Sequence, residues 1–291
     1  MDRIYNVPLA GVALPCVFRF PDTARWLGAV PAPASFGQPE AGSGEVPAAL
    51  RLTEDDWAHY RRDGFAESGQ SEANLLSAFL SEALLPYDRV VIHGVALRWR
   101  GKAFLICAAS GVGKSTQARY LQQLCPGEFS VISGDRPILQ FCHCEPCRDG
   151  TLPSAASSVP PSRHSERSAA ESKNPSSPSP DSEIIVHPSP WNGKENWHGA
   201  LAAPLAGLIL LERGEENNLT RLSPKEAGIS TFLRFIHTNR SADTVQTIAK
   251  MTTDLLRSVP CWKLTTYQVP DSTRLLLNTV FSEEAPLERK G

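Results

Sequence analysis

At 291 residues with 41% hydrophobic content, the chain can bury a sizeable core as one large domain or two small ones. A formal net charge of −2 leaves no electrostatic footprint for nucleic acid or an anionic membrane surface. No run approaches the roughly 20 apolar residues of a membrane span. The opening residues, Met1-Asp2-Arg3-Ile4-Tyr5, lack the basic start and apolar run of a signal peptide. A cytoplasmic location is therefore expected, with the seven cysteines as reduced thiols.

Pro8, Pro15, Pro21, Pro31, Pro33, Pro39 and Pro47 punctuate the first part of the chain, so long helices are not expected there. Residues 1–87 read as an irregular N-terminal accessory region. Val12-Ala13-Leu14 and Cys16-Val17-Phe18 have the composition of short strands, and Ala32 to Val46 reads as loop. Ser71-Glu72-Ala73-Asn74 resembles a helix start. Leu75, Leu76, Phe79, Leu80, Leu84 and Leu85 follow at helical spacing until Pro86 ends the run.

Two apolar runs, Val90 to Trp99 and Ala103 to Cys107, flank Arg100-Gly101-Lys102, which is a hairpin signature and places His93 on a strand beside the second run. That second run feeds Ala108-Ala109-Ser110-Gly111-Val112-Gly113-Lys114-Ser115-Thr116, and a helical stretch, Gln117 to Leu124, follows. Strand, glycine loop, Lys-Ser and helix is the order of a phosphate-binding P-loop. Glycines let successive N–H groups turn inward around phosphate oxygens, and the helix N-terminus adds its dipole. Ser110, Gly111, Val112, Gly113, Lys114, Ser115 and Thr116 are therefore candidate nucleotide ligands. Lys114 would reach the outer phosphates and Ser115 would bind Mg²⁺. Ala108 stands where the strict pattern has glycine, which requires a negative φ there. The plain alternative is a strand-to-helix turn that binds nothing.

Phe129 to Leu139 contains a strand followed by Asp135, the position expected of a Mg²⁺-directed carboxylate downstream of a P-loop. A surface-turn aspartate is the alternative. Residues 140–183 change character. Cys142, Cys144 and Cys147 crowd together without a second ligand pair, a poor pattern for zinc. The Ser/Pro/Ala-rich tract after them reads as a disordered, repeat-like insertion in a strand-to-strand turn. Order is expected again at Glu183 to His187, then a turn-rich loop, Pro188 to Glu195. Ala203 to Glu212 reads as a buried strand, Ser223-Pro224 as a helix start and Ser241 to Ser258 as a second helix. Trp262 to Thr265 reads as a last strand.

His93-Gly94, Ser110 to Thr116 and Ser133-Gly134-Asp135-Arg136-Pro137 resemble the kinase domain of HPr kinase/phosphorylase, a group related in fold to phosphoenolpyruvate carboxykinase. Pro190-Trp191-Asn192-Gly193-Lys194 and Leu211 to Asn217 are similar to the smaller bacterial relatives of those enzymes. The resemblance implies an α/β core of this type over residues 88–139 and 184–285, a sheet with flanking helices. It implies ATP and Mg²⁺ at Ser110 to Thr116, with Lys114 neutralising charge on the transferred group. His93 would sit beside the phosphates. Asp135 would align with one acid of the family's Asp-Asp pair, which supplies the base and assists Mg²⁺ binding, and would be base or metal ligand. Gly134 stands where the family has the first acid of an Asp-Asp pair, so Gly134→Asp would restore that pair. The Glu-Ile-Arg-Gly-type signature of the HPr enzymes is absent.

The implied activity is transfer of the γ-phosphoryl of ATP to a hydroxyl, most directly Ser on a peptide or small protein. A nucleotide-binding protein with little catalysis and a small-molecule kinase are the rival readings. The implied partners are a nucleotide and a peptide, protein or small-molecule acceptor, with no nucleic acid and no membrane.

Overall fold

Alternating burial builds the main sheet. Along β5 (Val95–Trp99) and β6 (Lys102–Cys107), Val95, Leu97, Phe104 and Ile106 point to one face while Ala96, Leu105 and Cys107 point to the other. Side chains of a strand alternate with period two, and both faces here are apolar, so both must be covered. The computed structural model describes residues 3–33, 49–62, 64, 66–142, 183–238 and 240–282. Within them the chain is mixed α/β, a curled mixed sheet with helices on both faces. The hairpin between β5 and β6 turns at Arg100 and Gly101, with φ of 47° and 80°, as a two-residue hairpin turn demands.

After β6 the chain enters the glycine loop and then α4 (Lys114–Leu124), β7 (Phe129–Ser133) and β8 (Ile138–Cys142). β9 (Glu183–His187) pairs antiparallel with β8, with Cys142 opposite Glu183. The long β10 (Ala203–Arg213) follows, then β11 (Asn218–Leu222), α5 (Pro224–Phe232), α6 (Ala242–Ser258), β12 (Cys261–Thr266) and α7 (Val269–Val280). β10 joins the sheet together. Its first residues pair antiparallel with β9, its middle parallel with β6, and its end parallel with β12. α4 and α7 cover one face through Ala118, Leu121, Leu276 and Val280, and α5 and α6 cover the other through Ala227, Ile248, Met251 and Leu255. Ser223 opens α5 with a capping box to Glu226, and Ser241 caps α6.

The N-terminal segment carries short elements between irregular stretches. β1 (Ile4–Leu9) and β2 (Val12–Val17) form a hairpin around Ala10 and Gly11, and β3 (Val30–Pro31) pairs with β1. α1 (Thr23–Trp26), α2 (Glu54–Arg62) and α3 (Gly69–Leu84) complete it. Leu9, Leu14, Trp57, Leu76 and Leu80 share a core with Val91 and Ile138 of the larger sheet and with Trp191 of the loop after β9, so the segment is packed onto that sheet. Buried Glu72 organises the region by accepting from the Arg19 and Phe20 N–H groups and from the Thr23 hydroxyl.

Several sequence expectations are adjusted. Val12 to Val17 is one strand rather than two, and β1 and α2 carry no strong sequence signal. α3 begins at Gly69 with Ser68 as its cap, before the Ser71 start. Val90 to Trp99 is not one strand. β4 (Arg89–Val91) pairs with β8, and the chain breaks at residues 92–94 before β5, so His93 lies in a connection. β8 runs through Cys142 and β9 starts at Glu183, which narrows the 140–183 insertion at both ends. Most of that insertion, Cys144 and Cys147 included, and nearly all of the Ala32 to Val46 loop lie outside the described residues.

The Cys142–Glu183 pairing has a consequence for that insertion. Replacing residues 143–182 by Asn-Gly closes β8 and β9 with a two-residue turn. Each halving of loop length returns about 0.6 kcal/mol of closure entropy. The shortened chain should melt at or above the wild-type temperature by calorimetry. A large fall in melting temperature would mean that the replaced residues are part of the fold.

Candidate functional site

The glycine loop, residues 108–113, connects β6 to α4. Gly111 and Gly113 have φ of 78° and 120°, values that a side chain would strain. Ala108 is not among the positive-φ residues and is buried, so an alanine fits the first loop position. Gln117 N–H makes the first α4 bond, to Gly113 O, which leaves the N–H groups at the helix start free of helical partners. Lys114 is only 8% exposed, and its Nζ donates to Ala108 O at 3.2 Å and Ala109 O at 3.4 Å. Burial pulls the Lys114 pKa down, Asp135 and Cys107 push it back up, and the nearby Arg234 charge lowers it again. Ser110 and Gly111 are exposed, Val112 and Ser115 half-buried and Thr116 exposed. Arg213, at the end of β10, donates from Nη2 to Gly111 O at 3.0 Å and clasps the loop from outside.

His93 and Asp135 come together across two connections. Ile92 N–H bonds Pro137 O, Gly94 N–H bonds Asp135 O and His93 N–H bonds Arg234 O, all at 2.7–3.1 Å. This backbone lacing fixes both side chains. His93 Nε2 lies 3.4 Å from Asp135 Oδ1, and Arg136 Nε lies 3.3 Å from Asp135 Oδ2. Both His93 and Asp135 side chains are about a quarter exposed, 27% and 25%. Burial alone would raise the Asp135 pKa, but the His93 hydrogen bond and the charges of Arg136, His93 and Lys114 outweigh it and hold the carboxyl below its ordinary value. Asp135 is therefore a carboxylate at neutral pH, within electrostatic reach of Lys114.

The 188–199 loop lies directly on Gly134. A Cβ there would sit 2.6 Å from Asn192 O and 3.0 Å from Trp197 Cβ. Gly193, with φ of 66°, lies against Asp135, and a Cβ on it would come within 3.2 Å of Asp135 Cβ. Arg119 of α4 holds this loop by an ion pair to Glu195 and by lying over Trp197. The space expected for a second carboxylate at residue 134 is thus filled by the loop backbone, and Gly134→Asp cannot restore an acid pair without moving that loop.

The structure brings Lys114, His93 and Asp135 to one place at the carboxyl end of β6. It also adds three arginines to which the sequence assigned no role, Arg136, Arg213 and Arg234. Arg136 had a signal of sorts, being next to Asp135. Arg213 lay in the Leu211 to Asn217 segment of the resemblance but with nothing to place it at the loop, and Arg234 had no signal, because strand pairing and a helix C-terminus bring them in from more than a hundred residues away in sequence. Among the described residues no three His, Cys, Asp or Glu are grouped to hold a metal ion. That leaves a hydroxyl and one carboxylate, Ser115 and Asp135, a donor set that suits Mg²⁺, which keeps most of its ligands as water and substrate phosphates. No helix among the described residues is long and apolar enough to cross a membrane. No family model matches the chain, and no curated protein matches it.

Two consequences are measurable. Gly134→Ala should cost about 1–3 kcal/mol in urea unfolding, as overpacking generally does, and Gly134→Asp should cost more. A Gly134→Asp chain as stable as wild type would show that the loop yields freely. The depressed Asp135 pKa contributes stability that is fully present above the ordinary carboxylate pKa of about 3.9 and is lost as pH falls through the folded value. The stability gap between wild type and Asp135→Asn should therefore close in acid, and a gap that is constant with pH would contradict the charge cluster.

Proposed function

We propose that the protein is a P-loop kinase of the HPr kinase/phosphorylase type, with ATP as phosphoryl donor, Mg²⁺ as cofactor and a hydroxyl as acceptor, Ser on a peptide or small protein. The observation that carries the reading is the convergence of a buried lysine at the start of α4 with a carboxylate kept ionised by its neighbours. Phosphoryl transfer asks little covalent chemistry of the protein. It asks for positioned cations around the phosphates and a group to take the hydroxyl proton.

In this reading the loop N–H groups from Ser110 to Thr116 bind the phosphates. Lys114 exchanges its carbonyl partners, Ala108 and Ala109, for phosphate oxygens and neutralises charge on the group in transfer. Ser115 and Asp135 would hold Mg²⁺, which supplies further neutralisation when bound. The acceptor oxygen forms a bond to the γ-phosphorus as the bond from that phosphorus to the bridging oxygen of ADP breaks. ADP leaves with the electron pair, and Asp135 takes the acceptor proton. His93 orients Asp135 through the 3.4 Å contact at Oδ1. A single carboxylate serves where the family has two. The packing of Gly134 gives that glycine a structural reason of its own, so its presence does not by itself argue for a decayed site.

Calorimetric titration of ATP with Mg²⁺ tests the reading. Wild type should bind in the micromolar range and Lys114→Ala should lose that binding. Asp135→Asn should keep most ATP affinity while transfer to an acceptor falls by roughly 10²–10⁴, the usual contribution of a general base. A folded wild-type protein that binds no ATP would end the kinase reading and leave only the fold.

A further inference from the structure

A cavity of about 440 Å³ opens beside the glycine loop. Cys107, Glu212, Glu226, Ser230, Arg234 and Lys263 contribute to its wall. Cys107 is the last residue of β6 before the loop, so the cavity adjoins the place where the phosphates would lie. Its charges are unequally satisfied. Glu212 is paired with Lys263 at 3.2 Å and accepts from the Thr265 hydroxyl. Glu226 is held by the α5 cap through the Ser223 N–H and hydroxyl. The Arg234 guanidinium has neither a hydrogen-bond nor an ion-pair partner among the described residues. Its main chain is nonetheless fixed by His93 N–H on one side and Thr231 O on the other. A fixed, half-buried and unpaired guanidinium next to a buried lysine is a site for an anion.

The rim adds a second constraint. Glu226 and Ser230, one turn apart on α5, face the cavity, and Arg234, just past the end of that helix, continues the same wall. Ile229 of α5 and Leu233, the residue that caps its end, are 77% and 64% exposed. Two large exposed apolar side chains, each next in sequence to a residue of the cavity wall, Ser230 and Arg234, fit a ligand that extends past the cavity. A metabolite filling the cavity alone would leave them uncovered.

We propose that this cavity receives the acceptor. In this proposal Arg234 holds a carboxylate of a peptide close to the hydroxyl being phosphorylated, and Ile229 and Leu233 take an apolar residue of the same peptide. The inference rests on the kinase reading and narrows it to acidic, partly apolar peptides. The carboxylate can come from an Asp or Glu side chain or from a free C-terminus, and both present the same chemistry to the guanidinium.

The test uses the full chain and positional-scanning peptides built around one serine, ending either in an amide or in a free carboxylate. Wild type should prefer an acid at one position by about tenfold, roughly 1.4 kcal/mol. The amide and free-acid sets tell which source of carboxylate is used. Arg234→Ala should flatten that preference while ATP affinity stays within about twofold, and Arg234→Lys should restore part of it. Ile229→Ser with Leu233→Ser should weaken only the apolar preference. Loss of ATP affinity in Arg234→Ala as large as in Lys114→Ala would overturn the proposal and assign Arg234 to the nucleotide phosphates. So would a wild type indifferent to acids. Malonate, titrated against melting temperature, reads the cavity without turnover. A rise in wild type that Arg234→Ala lacks supports the anion site even if ATP fails to bind, an outcome that would sink the kinase reading alone. No rise in wild type counts against the proposal.

Discussion

The pairing of β6 with β10 is the constraint from which the rest of the candidate site follows. β6 is buried on both faces and bracketed by β5 on one edge and β10 on the other. A strand held in this way cannot slip by one residue, since a slip would exchange the side chains of the two apolar faces. The chain therefore leaves the sheet at Cys107 at a fixed height, and the glycine loop begins from a fixed point. The same parallel register carries the end of β10 past the loop, which is how Arg213 reaches Gly111 O. α4 is then seated by Ala118 and Leu121 against the face made by Phe104, Ile106 and Ile209. A loop between two elements that cannot move is the pre-organised geometry that ion binding rewards.

The other half of the site is held by backbone rather than by side-chain packing. Residues 92–94 take no regular strand partner. They lace instead to Asp135, Pro137 and Arg234. Each bond is modest alone, on the order of 1 kcal/mol net. Together they remove the freedom of three separate connections, so that His93, Asp135 and Arg234 come from different parts of the chain yet keep one arrangement. Gly94 is needed for this, because a Cβ on it would meet Cys107 Sγ at 2.8 Å and Ile106 O at 3.0 Å. The carboxylate gains its low pKa from the same lacing, which brings His93 to one oxygen and Arg136 to the other.

What the sequence makes legible divides along physical lines. Elements whose signal is local were readable. The Arg100-Gly101 turn, the glycine loop with its helix, the Ser223-Pro224 cap and the apolar run of β10 each declare themselves within a few residues. His93 and Asp135 were readable as candidates from their places near the P-loop and from the resemblance, but their 3.4 Å contact depends on pairings between connections, which leave no local trace. β11 was not legible because it has only two leucines and no turn chemistry of its own, whereas α7 carried a local signal, Pro270 at its start and Leu275 to Leu277, and was nonetheless missed. Gly134 is the clearest case. In sequence it looks like a lost acid. In the structure it is the point where the Asn192 carbonyl comes within contact distance, and no single-residue pattern reports a close approach by another loop.

The N-terminal segment is drawn into this arrangement by two side chains. Arg136 Nη1 donates to the Ser77 hydroxyl at 2.8 Å and to Asn74 O at 3.3 Å, so α3 holds the residue that flanks Asp135. Trp191 Nε1 donates to Ala73 O at 2.9 Å, and its ring is buried in the core shared with α3, so the same helix holds the root of the loop that covers Gly134. α3 therefore grips both sides of the Gly134–Asp135 turn, using main-chain carbonyls and a serine on one short stretch of helix. Helix carbonyls in mid-helix are already bonded within the helix, and they accept a second donor through the remaining lone pair. Such contacts need the helix to be placed to within a few tenths of an ångström, and that placement comes from Leu76, Leu80 and Leu84 packing on the sheet below. A segment that carries no recognisable chemistry of its own thus fixes the position of the carboxylate on which the proposed chemistry turns.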